Sequence, residues 1–524
     1  MSEDIEIAGI KVPKADWEAT PPSIQALVRV LEERLAQQNE RLIEQNEQLA
    51  KQNERLIDLE ERLNQSSKNS SKPPSTDGFG QVVNGKKKSP KSRRGGRSAK
   101  SPRQARKLKP SEVCDQVLEV KPSVCQECGA RLIGHDHYPH RHQEIELPPI
   151  EPVVIEYRLH QLSCDLCGEM TRAPLPPGVS ASGYGERVSA LVALLSGPYR
   201  QSYRQVCRFM DTVFGVRLSR GSVGRLRDEL SVALAEPVAE AKAYIQSQPR
   251  VHSDETSFPQ GNRDGQNPEN RKGWLWVLVT PLVSFFEVVL SRSQASAQAL
   301  IGESYPGIVT SDRCSAYTWI ALEQWQPCWA HLKRDLTAMA ERTGASQEIG
   351  DALLRRQRRL FRWWHRVRDG TLSREQFIAQ VRYLRDGFKT ELEEAASLPI
   401  EPDENTPLAK TVRTCRRLLK VEPALWTFVL VTDVEPTNNS AERALRPAVI
   451  WRRTSFGSQS QSGSEFVARL LTVTTSLNAQ GRHLLDFLTQ TLLAKRKKQT
   501  VPSLLPQREL AVSTTSADRL LPAA

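Results

Sequence analysis

A heptad repeat near the N-terminus restricts the fold of this chain more than any other feature. Residues 38–58 read QNERLIE, QNEQLAK and QNERLID. Leucine recurs at every seventh position, at Leu35, Leu42, Leu49, Leu56 and Leu63. This period is typical of a coiled coil with Leu at d, which puts Asn39, Asn46 and Asn53 at a. We expect residues 1–66 to be an N-terminal region with a coiled coil, either as a parallel homodimer or packed on another helix of the same chain.

The segment after the repeat is polar and strongly basic. Residues 67–110 are rich in Ser, Pro, Gly and Lys, so they cannot bury enough apolar surface to pack. Residues 86–109 contain twelve Lys and Arg and no acid, which equals the net charge of +12. We predict a disordered basic linker that contacts DNA phosphates, or alternatively only a solvated linker. The candidate contacts include Lys86, Lys87, Lys88, Arg93 and Arg94.

Two Cys-x-x-Cys pairs follow the linker. They are Cys125 with Cys128 and Cys164 with Cys167, and a glycine follows each pair. Two such turns supply the four thiolates that a closed tetrahedral zinc site requires, whereas a redox site would need one pair in a strand–helix context. We expect a zinc-binding module over residues 111–180 with one structural Zn²⁺, and strands in the stretch 151–163 between the pairs.

Cysteine usage and apolar pattern also bear on location. No N-terminal apolar run resembles a signal peptide, and no apolar stretch is long enough to span a membrane. Cys-x-x-Cys pairs without a secretion signal favour a reducing compartment. We therefore expect a cytoplasmic protein with no membrane partner.

Residues 181–248 have a helical apolar period. The last helix opens on Ser219, a good N-cap, after a turn at Phe214-Gly215. One interpretation is a helical, helix-turn-helix-like DNA-binding domain, and the other is a helical bundle that only joins its neighbours. In the first interpretation the DNA-binding residues are Arg217, Arg220, Ser222 and Arg225.

After Pro249 the pattern changes to strands. The order is RVHSDETSF, KGWLWVLVTP, SFFEVVLSRS, a short helix and then GIVTSDRCSAY. Asp254 lies near the end of the first strand and Asp312 near the end of the fourth, where both could meet at one side of a sheet. Two adjacent carboxylates repel each other unless a cation neutralises them, and oxygen ligands suit Mg²⁺. These residues therefore predict a magnesium site.

Several motifs resemble those of the insertion-sequence 66 family of transposases. They are HSDET, TSDRCSAY, PCWAHLKRDL, PTNNSAERALRP and RTSFGSQSQSGSEFVARLLT, and the heptads, SSKPPSTDG and the cysteine pairs precede them in the family's order. The chain departs from the family at Arg313-Cys314, where members often have Gly-Tyr after the aspartate.

The resemblance implies a ribonuclease-H-like α/β catalytic core over residues 249–490, with an α-helical insertion at about 332–430. It implies a catalytic DDE triad of Asp254, Asp312 and Glu442 that holds two Mg²⁺ ions. Asn438 and Asn439 can cap the helix that carries Glu442, which puts Glu442 in its first turn. Residues 491–524 are expected to be a disordered C-terminal tail.

The fold class is thus multidomain α+β, and the function implied by the resemblance is that of a DNA transposase. Such an enzyme binds transposon terminal inverted repeats and catalyses metal-dependent DNA cleavage and strand transfer. The alternative is a catalytically inactive DNA-binding regulator derived from a transposase. Expected partners are DNA (transposon ends and target), further copies of the chain through the coiled coil, and small accessory proteins of the same element. Such a protein would be bacterial and associated with the nucleoid.

Overall fold

The structure is a computed structural model that describes residues 4–7, 10–63, 65, 69–70 and 107–506. It forms two compact units. The first comprises Met1–Gln81, Leu159–Cys207 and Ser219–Ala524, and the second comprises Val82–Arg158 and Arg208–Leu218. Most of the basic linker, including Lys86, Lys87, Lys88, Arg93 and Arg94, lies outside the described residues.

The N-terminal region is dominated by one long helix. A hairpin of β1 (Asp4–Ile7) and β2 (Ile10–Pro13) leads through α1 (Lys14–Glu18) to the 42-residue helix α2 (Pro22–Leu63). The heptad leucines are all at least half exposed, from 51% at Leu35 to 82% at Leu63. Among the described residues, no helix covers these leucines, so this part of the chain gives no support to the second alternative for the heptads.

The cysteine-rich region contains little regular structure. Its two strands, β3 (Gln161–Ser163) and β4 (Met170–Arg172), pair antiparallel, and Val124 forms an isolated antiparallel bridge with Arg131. The strands that we expected across 151–163 are thus wrong for residues 151–160, whose apolar side chains, such as Val153 and Val154, are exposed. Alternation alone does not make a strand there, because no apolar surface faces those side chains.

Four described helices lie between β4 and the central sheet. They are α3 (Glu186–Ser196), α4 (Tyr203–Phe214), α5 (Arg220–Ala233) and α6 (Ala235–Gln246). Buried residues of α3, α5 and α6 belong to the same hydrophobic cluster as the central sheet. The boundary that we expected at residue 248 therefore does not separate two hydrophobic cores.

The central sheet has five strands. They are β5 (Arg250–Ser257), β6 (Trp274–Val279), β7 (Ser284–Val289), β8 (Ile308–Ser311) and β9 (Trp325–Pro327). Their order in space is β7-β6-β5-β8-β9, with β5, β6 and β7 antiparallel and with β8 and β9 parallel to β5. Helix α7 (Gln294–Ile301) connects β7 to β8, as the sequence predicts.

A helical block follows β9. It contains α8 (Trp329–Ala340), α9 (Ala345–Arg368), α10 (Arg374–Ser397), α11 (Pro407–Lys420) and α12 (Thr427–Leu430). These helices have a hydrophobic cluster of their own, which includes Trp329, Trp364, Phe388 and Trp426. The segment is helical, as we predicted for about residues 332–430.

Three helices complete the first unit: α13 (Asn439–Ser455), α14 (Gln461–Gln480) and α15 (Leu484–Arg496). Packed chain continues beyond residue 490, where we expected a disordered tail, because Leu504 is fully buried and Arg482 donates hydrogen bonds to the Ser503 and Leu505 carbonyls. Residues 507–524 lie outside the described residues. Among the described helices, none has the length and apolar character needed to cross a membrane.

Candidate active site

Asp254 and Asp312 lie on neighbouring parallel strands. Strand β5 pairs with β8 in a register that sets His252 opposite Thr310, so two further residues on each strand lead to Asp254 and Asp312 at the same level. Asp254 lies inside β5 rather than near its end, and Asp312 follows the last residue of β8. The Cys314 amide donates to Asp312 Oδ1 at 2.9 Å, which holds that carboxylate in a tight turn.

Glu442 reaches the same region from helix α13. It lies in the first turn, as predicted, and its amide donates to the Asn438 carbonyl at 3.1 Å. Asn438 occupies the N-cap, but its side chain does not cap the helix. Instead its Nδ2 donates to the Ser253 carbonyl at 2.8 Å and its Oδ1 lies 3.2 Å from His252 Nδ1. Asn438 is fully buried and joins the helix of Glu442 directly to the strand of Asp254.

The electrostatics of this cluster favour a bound cation. Burial raises the pKa of Asp254 well above its ordinary value, and the neighbouring carboxylates of Glu255, Asp312 and Glu442 raise it further. Glu442 Oε1 is buried and accepts no hydrogen bond. Converging carboxylates with an unused buried oxygen fit a divalent ion, because a cation offsets both the repulsion and the loss of water.

Two residues that the sequence did not reveal, Glu255 and Arg292, also belong to the site. The Glu255 side chain is fully buried, and Arg292 contacts it at 2.6 Å, while Tyr317 donates to it at 2.6 Å. Arg292 also lies 3.9 Å from Asp312 and keeps 38% of its side chain exposed. A half-exposed guanidinium beside the acids can partly neutralise them and still meet a phosphate. The only sequence signal was that Glu255 adjoins Asp254.

Arg313 occupies the position after Asp312 where the resembled family often has glycine. Its side chain points to helix α8, where it forms a hydrogen-bonded ion pair with Asp335. Arg313 therefore has a partner of opposite charge, and its side chain does not displace Asp312 from the acidic cluster.

Cys328 and His331 flank Glu442 at the start of α8. Cys328 is buried at the N-cap, and its Sγ accepts the Asn438 amide at 3.1 Å. His331 Nδ1 lies 3.8 Å from Glu442 Oε1. These two side chains belong to the motif PCWAHLKRDL and were not among the candidate site residues.

The two cysteine pairs each form a knuckle of the same geometry. In the first pair, the Gly129 amide donates to the Cys125 carbonyl at 3.0 Å, and in the second the Gly168 amide donates to the Cys164 carbonyl at 2.8 Å. Both glycines have φ of +73°, a conformation that favours glycine. Backbone amides, foremost those of Cys128 and Cys167, lower the pKa of Cys125 and Cys164. Each knuckle therefore favours the thiolate form that binds zinc.

The candidate DNA-reading residues have different environments. Arg220 and Arg225 on α5 are exposed, and so is Arg217, which lies 3.4 Å from Asp211. Ser222 is buried, and its Oγ is occupied by Ser219 and Arg225. Ser219 caps α5, as predicted, by accepting the Ser222 amide. Among the candidate residues on α5, the exposed side chains are therefore those of Arg220 and Arg225, whereas the Ser222 side chain is buried.

The same chain thus combines a mixed sheet that carries a cluster of acids suited to a divalent cation with two cysteine knuckles suited to zinc. The family model for the transposase IS66 family matches residues 182–466, and the model for the zinc-finger binding domain of transposase IS66 matches residues 122–168. A family of unknown function matches residues 19–107. The chain belongs to the IS66 family of transposases.

Two curated relatives also align with most of this chain, and neither of their names states an activity. The uncharacterized protein y4qI of Sinorhizobium fredii is 26% identical over 412 residues, which cover 73% of this chain and 72% of y4qI. The uncharacterized protein y4jD of the same organism is 22% identical over 395 residues, which cover 70% of this chain and 73% of y4jD.

Proposed function

We propose that this transposase cuts and joins DNA at a metal site formed by Asp254, Asp312 and Glu442. The observation that carries the proposal is the convergence of three acids from β5, the end of β8 and the start of α13. Burial and the neighbouring carboxylates of Glu255, Asp312 and Glu442 raise the pKa of Asp254, and such shifts occur at functional sites more often than elsewhere.

The sheet supports a ribonuclease-H-like core. Numbered along this sheet alone, its strands are ordered 3-2-1-4-5, with three antiparallel strands followed by two that are parallel to the first. This arrangement puts the first and fourth strands side by side, and Asp254 and Asp312 lie on those two strands. The helical block after β9 separates them from Glu442 in sequence, as an insertion into such a core would.

The residues would have different roles at this site. Two bound Mg²⁺ ions would supply an activated nucleophile and stabilise the leaving oxygen of a phosphodiester. Asp254, whose pKa both Asp312 and Glu442 raise, would hold these ions together with them. Asn438 fixes the start of α13 against β5, and Arg292 is placed to meet the scissile phosphate. Both hydrolysis at a transposon end and strand transfer by the freed 3′-hydroxyl are in-line displacements at phosphorus, so one site serves both.

The remaining regions would bind DNA and organise the complex. Arg220 and Arg225 are exposed on α5 and can meet a duplex, and the basic residues of 86–109 can neutralise phosphates. The four thiolates of Cys125, Cys128, Cys164 and Cys167 would hold one structural Zn²⁺ in the module 111–180. The heptad stripe of α2 would join copies of the chain.

Substitution of one acid tests the proposal. Asp312→Asn should lower Mg²⁺-dependent cleavage of a labelled transposon end by at least about 100-fold, because the neutral amide is a weaker magnesium ligand. Binding to the same DNA, measured by mobility shift, should persist. Glu323→Gln, an exposed acid outside the cluster, is the matched control and should cleave normally.

Two results would contradict the assignment. Cleavage by Asp312→Asn at the wild-type rate would remove Asp312 from the site. Tight DNA binding by the wild-type chain with no cleavage under any divalent metal would identify it as the DNA-binding regulator instead.

A further inference from the structure

Three potential metal ligands meet beside the acidic cluster: Cys328, His331 and Glu442. One donor atom of each lies within 4.8 Å of the donors of the other two. Cys328 and His331 come from the first turn of α8, and Glu442 comes from the first turn of α13. The two helices start next to each other, because the Trp329 amide donates to the Pro436 carbonyl at 2.9 Å.

Two of these donors have no hydrogen-bond partner. His331 Nδ1 and Glu442 Oε1 are both buried and unpaired, although they face each other at 3.8 Å. That distance is too long for a hydrogen bond, and a buried polar atom without a partner is unfavourable. Such atoms on two neighbouring side chains indicate that a third group belongs between them.

The spacing suits a tetrahedral ion. Zinc binds nitrogen and oxygen at about 2.0 Å and sulfur at about 2.3 Å, so a tetrahedral site holds a nitrogen and an oxygen about 3.3 Å apart and either of them about 3.5 Å from a sulfur. His331 Nδ1 and Glu442 Oε1 lie 3.8 Å apart. All three donors lie within 4.8 Å of one another, so modest side-chain rotations would bring them to these separations. The Asn438 amide, which donates to that sulfur, would serve as the outer hydrogen bond that thiolate ligands commonly have.

We propose that Cys328, His331 and Glu442 form a binding site for a thiophilic divalent ion such as Zn²⁺, separate from the magnesium site and sharing Glu442 with it. Thiol and imidazole donors select zinc over magnesium, which prefers oxygen. If the proposed function of Glu442 holds, zinc bound here withdraws that carboxylate from the catalytic ions. The enzyme is then inhibited by zinc at a defined site next to its chemistry.

Metal counting tests the site without reference to activity. The full-length protein is stripped of metal, titrated with Zn²⁺ and measured for tightly bound zinc. The wild type should bind one equivalent more than Cys328→Ala and one more than His331→Ala, while the cysteine knuckles contribute equally to all three. Cys415→Ala is the matched control, because Cys415 is also fully buried but lies in α11, away from the acids. It should retain the wild-type count.

Equal zinc counts in the wild type and in both variants would overturn the proposal. His331→Ala keeps the test decisive if Cys328→Ala fails to fold, since His331 is partly exposed and its loss leaves the helix contacts of Cys328 in place. Folding of each variant is checked by circular dichroism.

Inhibition tests the sharing of Glu442. For each protein, the rate of Mg²⁺-dependent cleavage with added Zn²⁺ is divided by its own rate without Zn²⁺. The zinc concentration that halves this ratio should rise at least about 10-fold in Cys328→Ala, in line with the loss of one ligand. An unchanged value would show that zinc does not inhibit through the site of Cys328, His331 and Glu442. If the wild type cleaves no DNA, the proposed function fails, but the zinc count still decides the site.

Discussion

Asp254 carries its charge in unfavourable surroundings. Burial and three neighbouring carboxylates raise its pKa, so the folded protein holds a proton on it over a pH range in which the unfolded chain has released it. The folded state then binds more protons than the unfolded state. Stability therefore falls as the pH rises through that range.

Removing this charge should stabilise the metal-free protein. We expect Asp254→Asn to raise the free energy of unfolding at neutral pH by on the order of 1 kcal/mol, since the amide keeps the shape without the charge. The gain should shrink as the pH falls toward the ordinary carboxyl range, where Asp254 is protonated in both states. Thermal unfolding of wild type and variant between about pH 5 and 8 measures the difference. A variant that is less stable than the wild type at every pH would show that Asp254 is not strained.

The roles of individual residues were predictable from the sequence only where their neighbours along the chain determine them. The N-cap role of Ser219 and the first-turn position of Glu442 follow from local helix chemistry, and both are confirmed. Asn438 also stands at an N-cap, but its amide bonds to His252 and Ser253 instead. The orientation of the Asn438 side chain is set by a hydrogen bond to a residue 185 positions away in the sequence. Glu255 with Arg292 and Arg313 with Asp335 are pairs of the same long-range kind.

Helices α8 and α9 pack closely through a glycine. A Cβ on Gly350 would lie 2.3 Å from the Ala340 backbone nitrogen and 2.7 Å from the Ala340 Cα. The Ala340 backbone cannot move away from an added methyl group as a flexible side chain could. Gly350→Ala should therefore destabilise the protein by about 1–3 kcal/mol, the usual cost of overpacking, although alanine is the better helix former.

Gly224 offers the matched substitution in another helix. It lies inside α5, and the nearest atom to an added Cβ is 3.8 Å away. Gly224→Ala should be neutral or should stabilise the protein by up to about 1 kcal/mol. Urea unfolding of the two variants beside the wild type compares them. A Gly350→Ala variant as stable as Gly224→Ala would contradict the close approach of α8 and α9.

Helices and strands with a strong hydrophobic period were predictable from the sequence. Those that depend on contacts with residues far away in the sequence were not. Strands β5 to β8 and the helical block after β9 appear where the sequence places them. The three-residue strand β9 is too short to show a period, and it exists because β8 provides its partner. Leu504 was assigned to a tail because the chain around it is irregular, yet it is fully buried. The shared core of α3, α5, α6 and the sheet is likewise invisible to a local pattern.

At the scale of the whole molecule, α2 presents an unusual surface. Its 42 residues carry a stripe of exposed leucines, whereas soluble proteins rarely leave a long contiguous apolar stripe open to water. The heptads and the asparagines at a favour a second copy of the helix as the cover, in parallel and in register. A paired α2 would bring two acidic clusters into one assembly, which would suit the proposed action on transposon ends.

Substitutions on the two sides of α2 test this assembly. Leu49→Asp places a charge at d, where each leucine side chain would contribute about 1.5–3 kcal/mol by burial in both chains. Because each 1.4 kcal/mol is a factor of ten, dimer affinity should fall at least about 100-fold. Gln48→Asp introduces the same charge at c, on the outer face, and should leave the dimer intact. Light scattering after size-exclusion chromatography gives the masses, and a Leu49→Asp protein of unchanged dimeric mass would place the contact between copies elsewhere than on the heptad stripe.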